Sequence, residues 1–359
     1  MAYLNIEEID TGVRALAQAY PSDTTLIDLP QRSVEGRNIR ALSLGADDAT
    51  ERPTLVLVGG LHAREWVPPD ALLYLAADLL EARDNGTGLS YGDCAFSHEV
   101  IGRICRTIRL VVLPCANPDG RHFSQTQEAL WRKNRSFNDG AGHTCRGVDL
   151  NRNFDVAWDF KRKFADGFVS ASDDPCHPSV YVGRAPASEP ETQNVVWLLD
   201  ENPETRWYID VHSAIPSVFH GWGLDENQSD TPEMHFLNPA FDGARGASGD
   251  SYGEFIEAAD AHELDRLARV MATEIERVHG DRYDVSQAFT LYATSGASDD
   301  YAYSRHLQQE NLGKILGFTM ECGHEFQPDF ETAIRVMEEV AAAILAFADD
   351  VSQLADATG

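Results

Sequence analysis

The sequence predicts an α/β fold, with a mixed parallel and antiparallel twisted sheet flanked by helices, in a single domain spanning residues 1–359. Three observations predict it. Short β-branched runs alternate with amphipathic helical patterns, no internal repeat occurs, and no linker-like segment divides the chain. The composition, with 43% hydrophobic and 24% charged residues, is that of an ordinary globular protein.

Periodicity assigns the elements in chain order. The first helix is expected over residues 6–20, where Ile6, Ile9 and Val13 share one face. Strands are expected at residues 54–60, 107–113, 206–211 and 315–320, and further helices at 70–83, 195–199, 261–279 and 330–351. Residues 117–120 (NPDG) predict a turn, and Ser188 with Glu191 predicts a capping box. Loops at residues 136–147, 159–184 and 225–253 are expected to be functional walls.

Charge and targeting signals exclude several classes of protein. With 29 basic and 58 acidic residues, the net charge is −29, which disfavours nucleic acid or an acidic membrane as partner. No apolar run is long enough to span a bilayer, and residues 1–21 lack a signal-peptide pattern. We therefore expect a cytoplasmic protein, with secretion followed by processing as the alternative. The six cysteines form no CxxC pair, and their spacing leaves disulfide pairing open.

A metal site is predicted where the strand at 54–60 ends. The segment GGLHAREW at residues 59–66 places His62 and Glu65 three residues apart, close enough to bind one ion. Zinc accepts imidazole nitrogen and carboxylate oxygen, and a catalytic site needs a third protein ligand. His212, at the end of the strand 206–211, is the best candidate. Glu321 closes the strand 315–320, where a carboxylate beside metal-activated water would act as a general base.

Seven segments, three of which contain these residues, follow one another in a recognisable order. After VEGR at 34–37 come GGLHAREW at 59–66, NPDG at 117–120, LWRKNRS at 130–136, GVDLNRNFD at 147–155, DVHS at 210–213, YATSGASDD at 292–300 and TMEC at 319–322. This pattern resembles the zinc metallocarboxypeptidases of the carboxypeptidase A/B type and covers nearly the whole chain. The resemblance implies one Zn²⁺ per chain and peptide substrates with a free C-terminal carboxylate.

The resemblance also implies a role for individual residues. His62, Glu65 and His212 correspond to the zinc ligands, and Glu321 corresponds to the catalytic base. The remaining correspondences are Arg132 for oxyanion stabilisation, Asn151, Arg152 and Tyr292 for the terminal carboxylate, Arg64 for substrate contact, Asp149 for orienting the first zinc histidine, and Cys145–Cys176 for a disulfide. A guanidinium suits the carboxylate-binding task because it offers a planar bidentate fork.

The resemblance also implies that specificity depends on Asp299, seven residues after Tyr292. In relatives this position forms the base of the side-chain pocket, where aspartate implies a preference for C-terminal Arg or Lys. The alternative is an apolar or mixed preference, with Asp299 turned aside and Asp300 shaping the pocket. Gln287 stands where B-type relatives have glycine, and it is expected to narrow the site.

Two other functions stay open at this point. One is a zinc amidase or deacylase acting on small N-acyl amino acids or cell-wall peptides, which the retained Asn151, Arg152 and Tyr292 disfavour. The other is a non-catalytic binding module, which the retained metal ligands and Glu321 disfavour. The sequence predicts no oligomeric state.

Overall fold

The computed structural model describes residues 3–45, 52–137 and 145–358. Its centre is an eight-stranded sheet in the order β1-β2-β6-β3-β7-β12-β8-β11. The strands are β1 (Thr24–Asp28), β2 (Arg40–Leu44), β3 (Thr54–Gly59), β6 (Arg109–Leu113), β7 (Thr205–His212), β8 (Ser217–His220), β11 (Asp284–Gln287) and β12 (Leu316–Glu321). Two small sheets pair β4 (Leu89–Tyr91) with β5 (Cys94–Phe96) and β9 (Asn227–Gln228) with β10 (Glu254–Phe255).

The large sheet is mixed, which confirms the predicted fold class. The central strands β6, β3, β7 and β12 run parallel to one another. The pairs β1–β2, β2–β6 and β8–β12 are antiparallel. The four predicted strands are these central parallel ones, because strands buried on both faces read as continuous apolar runs. The outer strands lack such runs and were not predicted.

Helices cover both faces of the sheet. They are α1 (Ile6–Ala19), α2 (Val67–Asn85), α3 (His98–Thr107), α4 (Pro118–Thr126), α5 (Phe160–Lys163), α6 (Pro190–Asp200), α7 (Ala258–His279), α8 (Ser298–Gln308) and α9 (Phe330–Thr358). Helices α2, α3, α7 and α9 pack on the face that carries Leu57 and Ile209. Helices α6 and α8 pack on the opposite face, which carries Val58 and Tyr208. Over the ranges described, every helix is too short or too polar to cross a bilayer.

Two local predictions are wrong. Residues 117–120 begin α4 instead of forming an isolated turn, because the Asn117 side chain caps the helix by accepting the Gly120 N–H at 2.9 Å. Helix α6 begins at Pro190 without a side-chain cap. Ser188 donates to Glu189 Oε1 instead, so the capping box is not formed.

The described residues of the predicted loop regions contain only short helices and strands. Of the loop at 136–147, residues 138–144 lie outside the described residues. The segment 225–253 contains β9 and only short turns besides. It is fixed by Arg245, a fully buried residue whose Nε donates to Glu254 Oε2 at 2.9 Å.

Candidate active site

Two chemically important segments meet at the carboxyl ends of neighbouring strands. His62 and Glu65 lie on the loop after β3, and His212 is the last residue of β7. β3 and β7 are parallel neighbours, with Gly59 opposite Val211. The loops that follow the two strands therefore share one edge of the sheet, where ligands bind in open α/β folds.

The three side chains point their ligand atoms at one another. His62 Nδ1 lies 2.8 Å from Glu65 Oε1, and His212 Nδ1 lies 2.9 Å from both His62 Nδ1 and Glu65 Oε2. All three residues are buried, and in the described part of the chain no other three His, Cys, Asp or Glu residues bring their ligand atoms within 4.8 Å. Two imidazole nitrogens and a carboxylate are a donor set that suits zinc. The residues therefore fit a zinc ion.

Each histidine has a carboxylate behind it. His62 Nε2 lies 3.1 Å from Asp149 Oδ1, and His212 Nε2 lies 2.9 Å from Asp210 Oδ2. A carboxylate at Nε2 holds the ring proton there and leaves the Nδ1 lone pair for a metal. Ser298 Oγ also donates to Asp210 Oδ2, at 2.5 Å.

Sequence reasoning found Asp149 but missed Asp210 and Ser298. A signal for Asp210 was present, because residues two apart in a strand point to the same face. Asp210 therefore lies on the face of β7 that carries His212. No comparable signal existed for Ser298, which reaches Asp210 only through the docking of α8 on the sheet.

Arg132 is fixed beside the metal loop. Its Nε and Nη2 donate to Asp149 Oδ2 at 3.0 and 2.9 Å, and its carbonyl oxygen accepts the Ala63 N–H at 2.9 Å. Burial alone would raise the pKa of Asp149, but the positive charge of Arg132, together with His62, holds it well below its usual range. Asp149 thus orients both a candidate metal ligand and a cation.

Glu321 ends β12 directly beside the metal ligands. In the parallel pairing of β12 with β7, Glu321 lies opposite His212. Its Oε2 is buried and has no hydrogen-bond partner among the described residues. Burial, followed by the negative charge of Glu65, raises the pKa of Glu321 to about 7. A carboxyl group with a pKa near neutrality and no partner is suited to proton transfer.

Asn151 and Arg152 lie in a short 3₁₀ turn next to this centre. Asn151 Nδ2 lies 3.5 Å from His212 Nε2, and Asn151 Oδ1 accepts the Ser298 N–H at 2.8 Å. Arg152 Nε donates to Ser170 O at 2.7 Å, and Nη1 donates to Asn151 O at 2.5 Å. The Tyr292 ring centroid lies 5.8 Å from the Arg152 guanidinium carbon, and Tyr292 is 44% exposed. The Tyr292 ring thus lies beside the Arg152 guanidinium, and the Asn151 amide lies beside His212.

Arg64 lies on the loop after β3 that carries His62 and Glu65. Its guanidinium carbon lies 4.2 Å from the centroid of the Phe326 ring, and its carbonyl oxygen accepts Gln327 Nε2 at 3.1 Å. Burial, followed by the charge of Arg132, lowers the pKa of Arg64. The stacking contact attaches the segment after β12 to the metal loop.

Asp299 and Asp300 lie in the first turn of α8. This helix can pack closely on β12 because Gly317 has no Cβ; a Cβ at that position would collide with Asp299 O. Asp299 is 3% exposed. Burial raises the pKa of Asp299, and hydrogen bonds from the Asp300 N–H and Thr319 offset only part of this rise. Both Asp300 carboxylate oxygens accept the Gly223 N–H at 3.0 Å, and burial, then the charge of Asp299, raises the pKa of Asp300.

Gln287 supports the segment that precedes β9. Its Nε2 donates to Trp222 O at 2.7 Å and to Asp225 O, and its Oε1 accepts the Asn227 N–H at 3.1 Å. Its polar atoms are therefore engaged by residues 222–227. Cys145 and Cys176 form a disulfide on the Arg132 side of the site.

The fold and the metal-ligand geometry define a metal-dependent hydrolase. The family model described as zinc carboxypeptidase matches residues 9–343. Carboxypeptidase B of Astacus astacus is 31% identical over 303 residues, which cover 84% of this chain and 82% of that protein. Carboxypeptidase A2 of Rattus norvegicus is 30% identical over 305 residues, which cover 84% of this chain and 60% of that protein.

Solved structures agree on the fold. The bovine thrombin-activatable fibrinolysis inhibitor, in complex with tick carboxypeptidase inhibitor, aligns with a TM-score of 0.73 and 22% identity over 98% of both chains. Carboxypeptidase A from Helicoverpa armigera aligns with a TM-score of 0.69 and 26% identity, covering 96% of this chain and 74% of that chain. The protein belongs to the zinc carboxypeptidase family and is a metallocarboxypeptidase. Membership implies zinc as its metal.

Proposed function

We propose that this protein removes the C-terminal residue of peptides, with one zinc ion held by His62, Glu65 and His212, and that it prefers C-terminal Arg or Lys. The observation that carries the proposal is the position of Glu321. Its unpartnered carboxylate oxygen lies on the strand next to the buried donor atoms of His212. A base and a metal site in this relation are what metal-assisted hydrolysis requires.

Zinc, when bound, supplies a Lewis acid that polarises a carbonyl and lowers the pKa of nearby water. Glu321 takes a proton from the attacking water and delivers it to the nitrogen of the leaving residue. Arg132 places its charge where the carbonyl oxygen becomes negative, a contribution typically worth about 3 kcal/mol per donor. Asp149 keeps the Arg132 guanidinium in place, so little reorganisation is needed at the moment of reaction.

Restriction to the last peptide bond is assigned to Asn151, Arg152 and Tyr292. The Arg152 guanidinium is anchored by Ser170 O and Asn151 O, so it is held in one orientation for a carboxylate. Tyr292, which is largely exposed over that guanidinium, can cover the bound terminus. A fixed cation distinguishes a terminal carboxylate from an internal amide because only the carboxylate carries a charge.

The proposed preference for C-terminal Arg or Lys is supported by two carboxyl groups at the start of α8. Asp299 and Asp300 are buried side by side, and no lysine or arginine of the described chain forms an ion pair with either carboxylate, although the charge of Arg152 partly offsets the rise in the pKa of Asp300. Buried carboxylates are costly without a partner. A C-terminal Arg or Lys side chain would supply the missing charge.

The test is a rate panel on the zinc-loaded protein. The peptides differ only in the C-terminal residue (Arg, Lys, Phe, Leu or Glu), and a C-terminally amidated Arg peptide serves as the matched control. We expect kcat/KM for Arg and Lys to exceed the others by at least about tenfold, which corresponds to ~1.4 kcal/mol, and the amide to be resistant. Faster release of Phe or Leu would refute the basic preference, and equal cleavage of the amide would refute the carboxylate clamp.

A further inference from the structure

A second pocket adjoins the active site at Arg132. It has a volume of about 480 Å³, and we call it the basic pocket. Its described lining contains four cationic side chains, Arg132, Lys133, Arg135 and Arg146, and one carboxylate, Glu128. The chain as a whole has twice as many acidic residues as basic ones, 58 against 29. The pocket therefore has the opposite sign of charge to the protein that carries it.

Aromatic rings hold these cations in place. The Arg135 guanidinium carbon lies 3.6 Å from the Phe123 ring centroid and 4.8 Å from that of Trp131. The Arg146 guanidinium carbon lies 3.8 Å from the Phe137 centroid. Stacking on a ring face fixes a guanidinium without occupying its N–H donors. The donors at the edges of the guanidinium groups therefore stay available for an anion.

The protein neutralises these charges incompletely. Asp149 pairs with Arg132, and Glu35 Oε1 lies 3.7 Å from Arg135 Nε. That Nε is buried and has no hydrogen-bond partner within the described residues. Lys133 is 3% exposed and donates to His177 O at 2.7 Å, but it forms no ion pair with any described carboxylate. A buried cation without a carboxylate partner favours an anionic ligand.

The location of the pocket indicates which ligand it takes. Arg132 belongs both to the wall of the pocket and to the active site, where its carbonyl oxygen holds the Ala63 N–H of the metal loop. Tyr292 and Ser170, in contrast, line a different cavity of about 820 Å³. A peptide anchored by its terminal carboxylate at Arg152 and Tyr292 and with its scissile carbonyl at Arg132 continues beyond Arg132. Its upstream residues therefore lead towards the basic pocket.

We propose that the basic pocket binds an acidic side chain of the peptide substrate, within about four residues upstream of the scissile bond, a reach of roughly 13 Å for extended chain. The proposal rests on the proposed function, because it assigns a second specificity site to the same reaction. Aspartate and glutamate carry the carboxylate that the Arg135 and Arg146 groups can bind through paired N–H donors.

The test compares peptides with one common C-terminal residue and Asp, Ala or Lys at each of four upstream positions. We expect kcat/KM to rise about fivefold for Asp over Ala at one or two positions and to fall for Lys. The advantage should shrink in high salt, which screens charge interactions. Equal rates for Asp, Ala and Lys at every position would overturn the proposal.

Variants of Arg146 locate the effect. Arg146 is half-buried and has no role in the proposed catalytic machinery, so Arg146→Gln should abolish most of the Asp advantage and leave the rate on the Ala peptide unchanged. Arg146→Lys should keep part of the advantage, and Arg162→Gln, on the exposed helix α5, should keep all of it. An undiminished advantage in Arg146→Gln would overturn the proposal. Failure of the proposed function has a different signature, since no peptide would then be cleaved whatever its upstream residues.

Discussion

The candidate metal centre and the first turn of α8 both bury carboxylates, but the partners of those carboxylates differ. In the metal centre, Asp149 is bonded to His62 and Arg132, and Asp210 is bonded to His212 and Ser298. In the first turn of α8, both carboxylate oxygens of Asp300 accept the neutral Gly223 N–H. Asp149 and Asp210 are thus paired with arginine or histidine side chains of the protein, whereas no lysine or arginine among the described residues forms an ion pair with Asp299 or Asp300.

This difference shows that burial alone does not identify the task of a carboxylate. The partners of the carboxylate do, because a buried negative charge requires compensation from some source. Where histidines and arginine supply it, the carboxylate orients other groups. Where the protein supplies no compensating positive charge, the carboxylate must bind a proton or a ligand. Glu321 belongs to the second group, since its Oε2 is unpartnered within the described chain.

The largest effect is expected for Glu321→Gln, which removes the proposed base and keeps the side-chain size. We expect kcat to fall at least about a thousandfold, while zinc binding stays stoichiometric because Glu321 is not among the three donors. Steady-state kinetics and metal analysis measure the two quantities. Glu331→Gln, an exposed glutamate at the start of α9, is the control. Activity within tenfold of the unmodified protein would remove Glu321 from the base role.

The pocket is tested next by Asp299→Asn. The amide keeps the shape and removes the charge, so we expect the preference for C-terminal Arg over Leu to fall by about a hundredfold, as for a buried ion pair that loses one partner. Asp299→Ile should turn the preference towards apolar residues. Measured kcat/KM ratios decide the outcome, and an unchanged ratio in both variants would place Asp299 outside the pocket.

The orienting carboxylates of the metal centre should give a smaller effect. Asp210→Asn is expected to weaken zinc binding by about 10- to 100-fold, measured by competition with a chelator. Asp149→Asn should weaken it similarly and in addition lower kcat of the zinc-saturated protein, because an amide has no negative charge and only one acceptor oxygen, which cannot serve both His62 and Arg132. Identical kinetics for the two zinc-saturated variants would show that the Arg132–Asp149 pair has no catalytic consequence.

The smallest effect is expected at Glu191, a buried carboxylate remote from the metal ligands. Burial raises its pKa from 4.5 to about 8, although Asn134 donates to it. Between those pH values the folded state binds more protons than the unfolded state, so the free energy of unfolding falls as the pH rises. Glu191→Gln should abolish that decline, with a gain of about 1–3 kcal/mol above pH 8.

Urea denaturation at pH 5 and pH 9 measures this difference, with Glu201→Gln, an exposed residue, as control. Activity should be unchanged, since Glu191 touches no residue of the site. A pH dependence identical to that of the unmodified protein would show that Glu191 has the same pKa in the folded and unfolded states. Glu191 thus tests whether a buried carboxyl group that has no cationic partner and lies outside the candidate active site affects stability and not activity.

The central strands and the candidate metal ligands are predictable from the amino-acid sequence. Continuous apolar runs mark β3, β6, β7 and β12 because both faces of these strands are buried. The position of His62 and Glu65 after β3, and of His212 at the end of β7, follows from the motifs alone. These features are local, since each depends on residues a few positions apart.

The contacts between distant segments could not be predicted from the sequence, because they depend on the tertiary structure. Asp210 carries a period-two signal, but its bond to Ser298 exists only because α8 docks on β7 and β12. The placement of Arg132 on Asp149 and of Arg146 beside Arg135 in the basic pocket likewise joins residues that no periodicity connects. The sequence gives the chemical nature of each side chain, but the packing of the elements sets the distances between side chains and their burial. Charge interactions depend on both, so the properties of the site depend on the tertiary structure.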